Sequence, residues 1–368
     1  MSKITNSVWF YPLLIFGSSL YASLIYSLRH FEIVSDSAIE YQTYLIYIQQ
    51  GHWSPIVDNM LSTSLWTTYL PSIIQNVIHL QDPAITYRLT LALLVSPAPL
   101  LIYILTKKYT SQWVALSLAI VFFTSFYYQS NVAYARTIVG LEMVIITILL
   151  YIWHSRWKWT LIPFSAVGLV IAHYTTTYLW IAMFIGSGLL LLIISMDNRK
   201  KLSAIGLMAI GCILLAGTLV WYNGHSESRA FGYAYNAVIE IKNETSDKVD
   251  RIITGSNIPE VKHIRSYAID MMIAQGLLGL RVVISAVICW LLYREKKLLT
   301  PIGVLMIGRI IGLILSFSII NVEELIGILR VGFIVFPIEL LGIAYWYGKE
   351  RKSSYIIPTL GIMSVIYH

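Results

Sequence analysis

Apolar runs of about 18 to 22 residues recur along nearly the whole chain, and each is long enough to cross a ~30 Å hydrocarbon core as a helix. Lipid offers a bare backbone no hydrogen-bond partner, so a chain of such runs has one stable solution, a bundle of membrane-spanning α-helices. Composition agrees. Of 368 residues, 57% are hydrophobic and 12% charged, against the roughly half-apolar, quarter-charged make-up of a soluble domain. Mean hydropathy is +0.70. The pattern predicts an all-α, polytopic membrane bundle of about eleven transmembrane helices. Their expected positions are 8–28, 87–106, 112–128, 137–153, 159–173, 177–196, 203–222, 276–293, 300–319, 325–347 and 354–367. A single domain over 1–368 follows, with little sequence left for a soluble module.

The net charge of +7 does not point to nucleic acid, because Lys and Arg sit in short clusters between apolar runs, where they orient helices. With Lys3 on the cytoplasmic side, the inward turns carry Lys107 and Lys108, Arg156 and Lys158, Arg199 to Lys201, Arg294 to Lys297, and Lys349 to Lys352. That arrangement predicts an integral protein of the plasma or inner membrane, or of an ER-type membrane in a eukaryote, with a cytoplasmic N-terminus. Val8 to Leu28 is too long for the core of a cleavable signal and no small-residue cleavage pattern follows it, so it reads as a retained helix. Cys212 and Cys289 fall inside apolar runs and suggest neither a disulfide nor a thiolate metal site. Asn59 to Leu80 competes as a twelfth span. Counting it would turn Lys107 and Lys108 outward, and its Ser, Thr, Asn and Gln content suits a helix at the interface.

Two long outer loops result, 29–86 and 223–275. In the first, Asp36 to Gln50 has helical spacing, with Ser35 as N-cap and Gly51 as stop. The second is the markedly polar stretch and holds the sequon Asn243-Glu244-Thr245.

The string SDSAIEY at 35–41 sets Asp36 and Glu40 four residues apart, on one face of a helix that begins where the first span leaves the membrane. Two readings stay open. One is a general base, with or without a divalent metal, aimed at a substrate arriving from outside. The other is an Asp favoured by the helix dipole beside a solvated Glu. Outer ends of later spans add Tyr134 and Arg136 in YARTIVGLE, then His173 and Tyr174 in AHYTTTY. Glu142 lies six residues into the span after Arg136, where an ionisable group marks either a site or a locally paired carboxyl. Arg309 and Arg330 each need an anion, and lipid phosphate or Glu339 are the available kinds. No phosphate-binding glycine loop, HExxH, paired CxxC or nucleophile elbow occurs, so nucleotide chemistry is unsupported.

Taken together, these motifs resemble the GT-C superfamily of membrane glycosyltransferases, which includes protein mannosyltransferases, lipid A aminoarabinose transferases and oligosaccharyltransferase catalytic subunits. The resemblance rests on an acidic motif directly after the first span (SDSAIEY), a surface helix ending in GHW at 51–53, and a second surface segment before the next span. It is nearest to small GT-C-like membrane proteins whose pattern continues through YARTI and HYTTTY to a late ILRVGFIVFP (328–337). It implies a GT-C-like bundle that transfers a sugar from a polyprenyl-phosphate donor to a glycan, lipid or protein acceptor on the extracytoplasmic face. It further implies Asp36 as catalytic base with Glu40 beside it, and Arg330, with Arg309 and Arg136, as cations for the donor phosphate. Tyr134, Glu142, His173 and Tyr174 would face the substrates. A divalent metal between the two carboxylates stays open. A transporter or flippase, or a polymerase, of lipid-linked saccharides is the alternative function.

Overall fold

A computed structural model of the chain describes residues 9–29, 31–33, 36–54, 60–125, 128, 131–153, 156–225, 279, 281–319 and 334–348. Ser35, Arg330, residues 226–275 of the second loop and the span expected at 354–367 lie outside them. The described residues form helices and no strands. In chain order these are α1 (Phe10–Arg29), α2 (Asp36–Gln50), α3 (Tyr69–Ile78), α4 (Pro83–Val95), α5 (Ala98–Lys107), α6 (Gln112–Thr124) and α7 (Ala135–Ile152). They continue with α8 (Lys158–Val170), α9 (Tyr174–Ile194), α10 (Asn198–His225), α11 (281–294), α12 (Pro301–Ile319) and α13 (Phe336–Tyr347).

Five helical stretches are long and apolar enough to cross a membrane: Phe10–Arg29, Pro83–Lys107, Val132–Ile152, Tyr174–Ile194 and Asn198–Tyr222. Two runs expected to span are shorter than predicted. α6 stops at Thr124 because Ser125 is extended, with ψ 143°. α8 covers 13 residues and contains Pro163, so at ~1.5 Å per residue it rises only about 20 Å. α3, at 10 residues, is far too short to cross, which removes Asn59 to Leu80 as a spanning helix.

Chain direction alternates through α7 to α10, and the two ends of the bundle differ in chemistry. One end gathers the basic turns. There the Lys108 ammonium bonds the Ile152 carbonyl, the Tyr151 hydroxyl donates to Ser203 O at 2.7 Å, and Lys297 Nζ donates to Tyr345 O at 3.3 Å. The opposite end holds the start of α2, the start of α4 and the start of α7. α9 and α10 approach closely because Gly188 has no side chain: a Cβ there would stand 2.9 Å from the Ala204 carbonyl, the small-residue packing that membrane helices favour.

The second crossing is broken in its middle, between α4 and α5. Pro97 and Pro99 have no N–H, so the carbonyls of Leu93 and Val95 lose their helical donors. Side chains replace them. Ser96 Oγ donates to Leu93 O at 2.9 Å and the Tyr128 hydroxyl to Val95 O at 2.9 Å. Ser19 Oγ of α1 donates to Ser96 O at 2.8 Å. The carboxyl of Glu142 on α7 lies beside the Ala98 backbone N–H at this break.

A second buried polar contact joins α12 to α13. The Arg309 guanidinium bonds the Glu339 carboxylate, Arg309 Nε donates to Val335 O at 3.3 Å, and both side chains are fully buried. Of the two anions that the sequence offered Arg309, Glu339 is the one it meets. Removing one member of such a pair strands the other's charge, whereas replacing both by apolar groups is near neutral. Arg309→Leu should therefore destabilise the protein by about 3–5 kcal/mol, and Arg309→Leu with Glu339→Leu should recover most of that. Unfolding of purified protein in detergent checks both.

Candidate functional site

α2 begins at Asp36, whose negative charge suits the first turn of a helix. It ends at Gly51, whose φ of +71° is the left-handed turn that glycine accepts readily. Ser37, Glu40, Thr43, Tyr44 and Tyr47 form its buried face, a helical spacing that lays the element against the bundle. Aromatic contacts anchor it. The rings of Tyr41, Tyr44 and Tyr87 lie 5.1–5.6 Å apart by centroid, and the Tyr44 hydroxyl donates to Pro83 O at 2.8 Å. Tyr47 bonds the carbonyls of Ser54 and Ser62 at 3.2 and 3.3 Å, and burial pushes its phenol up to about 12.

On this platform the two carboxylates share one cation. Arg136, in the first turn of α7, bonds Asp36 through Nη2, and its Nη1 stands 3.3 Å from Glu40 Oε1. The Arg136 and Glu40 side chains are 8% and 7% exposed, while Asp36 is 53% exposed. Asp36 is thus the carboxylate that meets solvent, and Glu40 stands behind it. Burial pushes the Glu40 carboxyl above the ordinary glutamate range, against the pull of Arg136 and of a hydrogen bond from Thr67.

Tyr174 lies within electrostatic reach of Arg136, as do Tyr87 and Tyr222. His173 is buried beside this group. Its Nδ1 is 2.7 Å from Thr176 Oγ1, its ring centroid is 5.4 Å from that of Tyr174, and a Cβ on Gly140 would come within 3.4 Å of it. Tyr134 is half-buried at the turn before α7. Asp36, Glu40, Arg136 and Tyr174 therefore form one cluster with His173 next to it. Two candidates fall elsewhere: Glu142 serves the broken crossing, and Arg309 is enclosed with Glu339. Arg330 lies outside the described residues.

Arg136, expected to await a donor phosphate, is already committed to two carboxylates. The sequence signal for that pairing is slight, since 100 residues separate Asp36 from Arg136. Thr67, Tyr87 and Tyr222 were not singled out from sequence. Thr67 belongs to the polar segment that was read as interfacial, and nothing in local spacing links Tyr87 or Tyr222 to Glu40.

The fit to a divalent ion is poor. Both carboxylates turn onto the guanidinium, which supplies the positive charge that a metal would bring, and among the described residues no third His, Cys, Asp or Glu joins them. No protein-family model matches the chain, and no curated protein does.

The shared cation sets a test by pH. Because Glu40 sits above the ordinary value of 4.5, its contribution to stability is full below that value and declines as pH rises through its folded value. Arg136 restrains that decline. Arg136→Gln should lower stability by about 3 kcal/mol near neutral pH, with a deficit that shrinks on acidification as Glu40 takes up a proton. Unfolding midpoints of both proteins across pH 4 to 8 check the sign.

Proposed function

We propose that the protein is a membrane glycosyltransferase of GT-C type, which transfers a sugar from a polyprenyl-phosphate donor to an acceptor hydroxyl at the extracytoplasmic face. The observation that carries this reading is the half-exposed carboxylate of Asp36. It is aligned by Arg136 and held on a helix that follows the first membrane crossing directly. In this reading a base at that point would be reached from water on one side and from the bilayer surface on the other. The motif resemblance supports the same reading.

In the proposed reaction Asp36 takes the proton of the acceptor hydroxyl as its oxygen attacks the anomeric carbon. The bond from that carbon to the phosphate oxygen breaks, and polyprenyl phosphate leaves with the electron pair. Direct displacement inverts the anomeric centre. Arg136 fixes the direction of the Asp36 carboxylate, and Glu40 shares the same guanidinium. Stabilising the departing phosphate requires a cation not committed to a carboxylate. By resemblance that group is Arg330.

One observation favours the alternative of a transporter or flippase of lipid-linked saccharides. The crossing Pro83–Lys107 is interrupted near its centre, and the Glu142 carboxyl lies beside the Ala98 N–H there. Broken helices beside an intramembrane carboxyl are a device of transporters. The two readings part at Asp36, which only the transferase needs as a base.

Asp36→Asn preserves size and removes the proton acceptor. General-base catalysis typically contributes about 10²–10⁴-fold, so transfer from a synthetic polyprenyl-phosphate sugar should fall at least a hundredfold in protein that still inserts and folds. Asp36→Glu should also be severely impaired, because shifting the carboxylate by about 1 Å spoils its positioning. Chelators should have no effect. Near-normal transfer by folded Asp36→Asn protein would refute the transferase mechanism. Loss of saccharide transport in Glu142→Gln with transport retained in Asp36→Asn would establish the alternative.

A further inference from the structure

The end of the bundle that carries the basic turns contains a groove of about 680 Å³. Its floor and walls come from the end of α7, the start of α8 and the first turns of α10, and it lies at the opposite end of α7 from Arg136. Two cations border it, Lys108 and Lys158, and its lining includes no carboxylate. The charges are held in place. Lys108 bonds the carbonyl of Ile152, the last residue of α7, which satisfies an orphan helix-end acceptor and leaves the other ammonium donors free. Lys158 Nζ rests over the rings of Tyr151 and Trp159, at 5.9 and 5.6 Å from their centroids. Burial, and then the charge of Lys158, hold the Lys108 ammonium below the ordinary lysine range. Neither lysine pairs with a carboxylate among the described residues, so the groove presents two neighbouring positive charges with no protein anion.

The rest of the lining has the opposite character. Ile205 is 54% exposed, and it continues with Ala209 along α10 into the apolar part of the bundle. Gly206 lets the Tyr151 and Trp159 rings close onto α10, 3.0–3.3 Å from where its Cβ would be, which builds the aromatic wall beside this strip. Cations framed by Tyr and Trp, with an apolar channel leading away, match the two halves of a membrane lipid: an anionic headgroup at the interface and acyl chains below it. A soluble anion would use the first half and leave the second unexplained.

We propose that this groove binds an anionic phospholipid, its phosphate between the ammonium groups of Lys108 and Lys158 and its acyl chains along Ile205 and Ala209. The site is independent of the chemistry at Asp36. The test is native mass spectrometry of the full chain released from nanodiscs of mixed phosphatidylglycerol and phosphatidylcholine. Wild-type protein should retain phosphatidylglycerol preferentially. Lys158→Gln should weaken that retention roughly fivefold and Lys108→Gln with Lys158→Gln roughly thirtyfold, the scale expected for one and two interfacial lysines. Ala209→Trp, which fills the channel and keeps both charges, should also lose the bound lipid. If the double variant does not insert, Lys158→Gln and Ala209→Trp carry the test, since neither changes a hydrogen bond described in the fold. Unchanged phosphatidylglycerol retention in these variants would overturn the proposal. Displacement of the lipid by millimolar inorganic phosphate would overturn it too, by showing that the groove takes the free ion.

Discussion

Inside hydrocarbon a polar group has only the protein to bond with, and the internal architecture follows from that requirement. Where two prolines break the crossing from Pro83 to Lys107, hydroxyls from three different segments donate to the backbone carbonyls around the break. Where a guanidinium is buried between α12 and α13, a carboxylate is buried with it. These contacts also fix which helices are neighbours. Ser19 holds α1 against the break, the Glu142 carboxyl of α7 stands beside Ala98 at the break, and Arg309 joins two late helices.

The same requirement explains the asymmetry between the two ends of the bundle. Cations that stay near water are free to cluster, and they do so at the ends of α5, α7 and α11, together with Tyr and Trp. At the other end a cation has been drawn into the fold. Arg136 is nearly enclosed, and its two acidic neighbours come from a helix that lies beside the crossings. The single guanidinium serves one carboxylate that faces solvent and one that does not. That division gives two chemically identical groups different roles: Asp36 is accessible, and Glu40 is a buried support whose proton affinity is raised.

Much of this was legible in the sequence wherever the signal was local. The helix from Asp36 to Gln50, its stop at Gly51 and the shared face of Asp36 and Glu40 all follow from spacing and capping over a few residues. The clustering of basic turns at one end follows from alternation between apolar runs, and Glu339 was one of two partners foreseen for Arg309. Three features were missed: one is a local helix cap, and two depend on contacts between distant segments. The span expected at 87–106 starts earlier, at Pro83, because Asp82 caps it by accepting the Ala84 N–H at 2.9 Å. Its break at Pro97 was passed over, because hydropathy averages over an interruption whose repair lies on Ser19 and Tyr128. The pairing of Arg136 with Asp36 spans 100 residues, and a cation at a helix end gives no sign of whether its anion belongs to the protein or to a ligand.

That separation also bears on how the molecule is assembled. α2 leaves the ribosome before α7, so until α7 is made its two carboxylates lack the guanidinium that pairs with them. Burying Glu40 without a guanidinium would strand a charge in a place that cannot hydrate it. The ion pairs that seat α2 on the bundle therefore exist only once α7 is present, and one arginine ties together segments made 100 residues apart.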